Sequence, residues 1–97
     1  MEKLKLKDHP YCNCYVLKDN DKITLVSYIT EVIIAVRNPK NKNEWFLKCT
    51  GTYSQTTRKQ ISWFLREYFP KINYYDVKEI AGKETFLVYD KEVGKIS

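Results

Sequence analysis

The sequence predicts an α+β domain: an antiparallel β-meander, one amphipathic helix packed on the sheet, and a C-terminal β-hairpin. Three observations carry this. Helical spacing of apolar residues occurs in one stretch, Tyr53 to Phe69. The segments on either side are rich in β-branched and aromatic residues, the composition of strands. Clusters of Asn, Asp, Lys and Gly punctuate those segments. One helix with a single apolar face, laid on one side of a sheet, is the economical way to bury both.

The elements follow in order. Met1 to Pro10 is a charged lead-in, expected to be mobile or an irregular edge. Tyr11 to Lys18 has strand composition, and the Asp19–Lys22 cluster turns the chain. Ile23 to Arg37 is a long β-branched run whose apolar parity switches midway. Ile23, Leu25 and Ile29 share one parity; Val32, Ile34 and Val36 share the other. A bulge or bend near Ile29 to Glu31 explains the switch, and a tight turn giving two strands is the alternative. Asn38 to Asn43 reads as a hairpin loop, and Glu44 to Thr50 as a strand with Trp45, Leu47 and Cys49 on one face. In the helix, Ser54 is one candidate N-cap; Thr57 with Gln60 three residues on is another. The β-leaning residues Tyr53, Thr56 and Thr57 place the helix at about Thr57 to Tyr68, and Pro70 ends it. Ile61, Phe64, Leu65 and Tyr68 form its buried stripe. Ile72 to Ile80 and Glu84 to Asp90 read as two strands joined at Ala81, Gly82 and Lys83. Lys91 to Ser97 is a polar tail. Residues 1–97 form one domain, with 1–10 and 91–97 as mobile ends.

Composition bounds the function. The chain has 97 residues, 43% hydrophobic and 14% aromatic, with eight tyrosines and a formal net charge of +5. That size gives a small core and no large cofactor pocket. The basicity permits binding to nucleic acid or to an acidic protein surface. No apolar run is long enough to span a membrane and no signal peptide is visible, so a cytoplasmic protein is expected. Three cysteines, an odd number, fit free thiols better than a disulfide framework.

Catalytic and metal chemistry find little support. His9, Cys12, Cys14 and Cys49 are the available metal ligands, but they lack the paired C-x₂₋₄-C spacing of zinc sites. Carboxylates are scattered, and no Gly-rich phosphate loop or nucleophile–base spacing appears. The expectation is no metal, no cofactor, no small-molecule substrate and no enzyme activity. The best cluster is a binding one: Arg58, Lys59, Trp63 and Arg66 on the helix, with Thr56 and Thr57 at its start. Trp63 lies away from the apolar stripe. It is either covered by the tail or a loop, or exposed to a partner, where an indole beside cations suits a nucleic-acid base or an interface anchor. Lys71, Asn73, Tyr74 and Tyr75 form a second cluster.

Two motifs, Ser27-Tyr28-x-Thr30-x-Val32 and Tyr53-Ser54-x-Thr56-Thr57-x-x-Gln60-Ile61-x-x-Phe64-Leu65, carry a resemblance. The sequence resembles short bacteriophage and plasmid proteins grouped as a domain of unknown function, over roughly Tyr11 to Tyr68. Gln60 stands where that family usually has a histidine. The resemblance implies a mobile-element origin, a cytoplasmic setting in the host and an accessory role. The leading expectation is a small non-enzymatic accessory protein that binds nucleic acid or a host protein handling nucleic acid. The alternative is an anti-CRISPR-like inhibitor acting by protein–protein contact. An exposed Trp63 or an open strand edge would also allow a homodimer.

Overall fold

A computed structural model of the chain describes residues 1–96. It is α+β: a seven-stranded antiparallel meander in strict sequence order, with one main helix packed on it. The strands are β1 (Glu2–Leu4), β2 (Cys14–Lys18), β3 (Lys22–Ser27), β4 (Thr30–Asn38), β5 (Asn41–Cys49), β6 (Leu87–Asp90) and β7 (Gly94–Lys95). Two helices, α1 (Gln55–Tyr68) and α2 (Tyr74–Lys78), lie between β5 and β6.

Alternation and register build the core on one face of the sheet. Val16, Leu25, Ile33 and Cys49 lie side by side across four strands, and Ile23, Ala35, Leu47 and Leu87 form the next row. All eight are buried. From α1, Ile61, Phe64 and Leu65 close over these rows. Phe69, just past the helix, packs against Trp45, Phe64 and Tyr89 with ring centroids 5.0–5.9 Å apart. Trp45, Leu47 and Cys49 do share one buried face. Burial pushes the Cys49 thiol up from its ordinary value.

Several elements differ from the sequence expectation. The long run Ile23 to Arg37 is two strands, β3 and β4, folded at Tyr28 and Ile29, so the alternative reading of the parity switch, a tight turn, holds in place of a bulge near Ile29 to Glu31; a register shift sits between Leu25 and Val26. The buried residues of β4 are therefore Val32, Ile33 and Ala35, while Val36 is exposed. The turn was hard to read because Tyr28 and Ile29 are not turn residues, and Tyr28 takes a positive φ of 56°. The helix begins two residues earlier than expected. Ser54 is its N-cap, its side chain accepting from the Thr57 N–H.

Ile72 to Ile80 is not a strand. Asn73 and Asp76 form a capping box: Asn73 Oδ1 accepts from the N–H groups of Tyr75 and Asp76, and Asp76 Oδ2 accepts from the Asn73 N–H. Two satisfied caps favour a helical turn over extension, and Tyr74 and Val77 supply the buried i, i+3 pair. The chain then returns at Gly82 (φ 73°), whose N–H donates to the Cys49 carbonyl. The C-terminal hairpin is consequently β6 with β7, not Ile72–Ile80 with Glu84–Asp90.

Neither end is a loose tail. β1 pairs with β2, Leu6 is buried in the core, and β7 lies within the expected tail 91–97; Ser97 itself is outside the described residues. Cys12 and Cys14 are joined in a disulfide, against the expectation of free thiols. β2 starts only at Cys14, so Cys12 and Asn13 lie in a bend and the two Cα atoms come within 5.3 Å.

Candidate binding groove

α1 is amphipathic, and what its outer face carries follows from its inner one. With Ile61, Phe64 and Leu65 turned to the sheet, Arg58, Lys59, Ser62 and Arg66 are left on the opposite side at spacings of three and four. α2 lies alongside and adds Tyr74 and Tyr75, so the outer face of α1 becomes the floor of a groove of about 360 Å³. A second depression of about 290 Å³ continues it past Ser62 and Arg66 toward Pro70 and Ile72. The capping box fixes α2, and so fixes the tyrosine wall.

The groove is cationic by its lining. Arg58, Lys59 and Arg66 face it, and among the described residues no carboxylate lines either depression. Among the described residues the ion pairs are Arg37 with Asp21 at 3.6 Å and Lys95 with Glu79 at 3.4 Å; the three groove cations are in neither. The Arg58 guanidinium sits 5.0 Å from the Tyr74 ring centroid, an arrangement that orients it without neutralising it. Tyr74 is buried, whereas Tyr75, whose ring meets Tyr74 at 5.5 Å and 70°, is 67% exposed.

Trp63 is half-buried and forms the other wall. One cover expected for it was the C-terminal tail; instead the N-terminal segment supplies it. The His9 ring stacks on the indole at 3.6 Å and 13°. The Leu6–His9 bridge and the His9 carbonyl, which accepts from the Cys12 N–H, hold that segment. One side of the indole is thus occupied, and the ring still lines the groove.

Of the six residues singled out from sequence, four converge: Arg58, Lys59, Trp63 and Arg66. Thr57 is buried and spends its hydroxyl on Ser54, 3.2 Å away. Thr56 is exposed but does not line the groove. In the sequence Tyr74 and Tyr75 belong to a second cluster with Lys71 and Asn73, on a segment expected to be a strand. The Asn73-x-x-Asp76 spacing was the signal that would have brought them together. His9 carried no signal, since its contact with Trp63 spans most of the chain. A wider depression of about 860 Å³ elsewhere on the sheet contains Asp21 and Arg37. Its arginine is already satisfied by Asp21 and by the carbonyls of Asn20 and Lys42.

Comparison with family models, with curated proteins and with solved structures gives no match.

Proposed function

We propose that this protein is a small, non-enzymatic accessory protein of bacteriophage type that binds nucleic acid in the α1–α2 groove. The observation that carries this reading is the convergence of Arg58, Lys59 and Arg66 on a lining with aromatic rings, with neither an ion-pair partner nor a lining carboxylate among the described residues. Cations placed this way attract a polyanion, and every phosphate they meet releases counterions. We read the protein as non-enzymatic because its sequence shows no nucleophile–base spacing and no Gly-rich phosphate loop. The phage assignment rests on the two motifs alone. The test is a mobility shift with mixed DNA and RNA at low and moderate salt. Binding that weakens with salt, and is lost in Lys59→Glu/Arg66→Glu, supports the reading; binding unaffected by that variant refutes the site.

A second reading is favoured by a different place on the molecule. The β3–β4 turn presents Ile29 at 95% exposure beside Tyr28, and Tyr53, at 61% exposure, also takes a positive φ. Non-glycine residues held there cost about 1–3 kcal/mol each, and such positions gather at functional sites. An exposed apolar tip of this kind suits insertion into a protein, which fits an anti-CRISPR-like inhibitor. Capture of one host protein from lysate, abolished by Ile29→Asp but not by Lys59→Glu/Arg66→Glu, would favour this reading over the first.

A further inference from the structure

We infer that the groove takes a single strand of nucleic acid rather than a duplex, with unstacked bases against Tyr75 and Trp63 and phosphates on Arg58, Lys59 and Arg66. This rests on the nucleic-acid reading above and narrows it.

Shape argues first. A helix that reads a duplex enters a major groove about 12 Å wide, and a helix with its side chains is itself about 10–12 Å across. It must therefore stand clear of its neighbours. α1 does not: α2 flanks its outer face through Tyr74 and Tyr75, and the N-terminal segment flanks it through His9 on Trp63. The cations line a depression between these shoulders, not a ridge. A depression of about 360 Å³ admits individual nucleotides, whereas a double helix could meet its exposed cations only with its phosphate backbone.

The rings argue second. In a duplex the faces of the bases are sealed by their neighbours, so aromatic side chains beside the phosphates have nothing to stack on. In a single strand each base offers a free face, and stacking on an aromatic ring is tolerant of sequence. Tyr75 is suited to this. Its backbone is fixed by the capping box, its ring is braced against Tyr74, and 67% of it remains exposed. Trp63 is braced in the same manner by His9. Both rings are held before any ligand arrives, which lowers the entropy cost of binding.

Spacing agrees. Arg58 and Arg66 are eight residues apart on α1, about 12 Å along the axis, which spans roughly three phosphates of an extended strand. Three neutralised phosphates predict a slope of log K against log salt of about −2 for a single strand.

The experiment is a tryptophan-fluorescence titration with a short oligothymidylate, a mixed-sequence duplex and polyglutamate as separate probes. Trp45 is buried in the core, so Trp63 is the reporter. The expected result is quenching by oligothymidylate with a salt slope of about −2, and weaker response to the duplex. Tyr75→Ala should weaken single-strand binding about tenfold, and Tyr75→Phe should restore it. A duplex that binds as well as the single strand, with Tyr75→Ala silent, overturns the inference and leaves the nucleic-acid reading standing. Equal binding of polyglutamate shows a general anion site and also overturns it. Binding of neither nucleic acid removes both readings together.

Discussion

On its inner side, α1 carries Ile61, Phe64 and Leu65, all at 1% exposure or less; on its outer side it carries Arg58, Lys59 and Arg66, exposed and in no ion pair among the described residues. The two faces answer to different demands. Each inner residue is fixed by what it touches: Phe64 meets Phe69 and Tyr68, and the stripe covers the sheet. Among the described residues the outer ones have no ion-pair partner, and Arg58 alone meets a ring, that of Tyr74. Scattered surface lysines and arginines need no explanation, since solvation accounts for them. Three that converge on one carboxylate-free groove do, and the difference shows which half of the helix the fold explains.

The inner face can be broken most severely. Phe64→Ala should destabilise the protein by about 3–5 kcal/mol, because it removes a large ring at 0% exposure and leaves a cavity. Thermal or denaturant melting checks this, and a wild-type curve would mean that the stripe is not the core. Trp63 belongs to neither face cleanly, so it sharpens the comparison. Trp63→Ala should cost about 1–2 kcal/mol through lost packing and stacking. In a double-mutant cycle with His9→Ala, a coupling of about 0.5–1.5 kcal/mol is expected; zero coupling would dissolve the stack.

Gln60 is the exception on the inner side. It is fully buried, and neither its amide oxygen nor its amide nitrogen has a partner among the described residues. Gln60→Met, of similar volume, should raise stability by about 1 kcal/mol by removing an unpaired polar group. A clear loss of stability would show that the amide is paired in solution. Tyr68, at the end of the stripe, supplies a pH test. Burial, helped by the nearby Glu67 and Glu2 charges, pushes its phenol from 10.0 up to about 12. The fold therefore favours the neutral phenol. Its contribution is complete below pH 10 and declines as pH rises from about 10 toward 12. Melting temperature followed over that range should fall less in Tyr68→Phe than in wild type, although Tyr89, also pushed up by burial, keeps some slope in both.

This division also explains what could be read in the sequence. The meander and α1 were legible because their signals are local: alternation in Trp45, Leu47 and Cys49, and helical spacing in Ile61, Phe64 and Leu65. Four groove residues were legible because they share one helix. The rest depends on contacts distant in sequence or on unusual local chemistry. α2 is a single capped turn whose tyrosines carry strand propensity, so composition outweighed the Asn73–Asp76 box. The β3–β4 turn uses Tyr28 and Ile29 where Gly or Asn is expected. Leu6 and His9 look like part of a charged leader, yet one is core and the other covers Trp63. The disulfide arises from a bend at Asn13 that the strand-like composition of Tyr11 to Lys18 hides.

The outer face should be the least sensitive to substitution in stability and the most sensitive in binding. Replacing Arg58, Lys59 and Arg66 together with glutamate should move the unfolding free energy by no more than about 0.5 kcal/mol at Lys59 and Arg66, which are exposed, and by about 0.5–1 kcal/mol at Arg58, which loses its contact with the Tyr74 ring. The most direct measurement of the central claim is the salt dependence of nucleic-acid affinity in wild type and in that triple variant. The wild-type slope of log K against log salt should be about −2 to −3, and the variant should show no measurable binding or a slope near zero. A variant that binds with the wild-type slope would place the contact surface elsewhere and contradict the account.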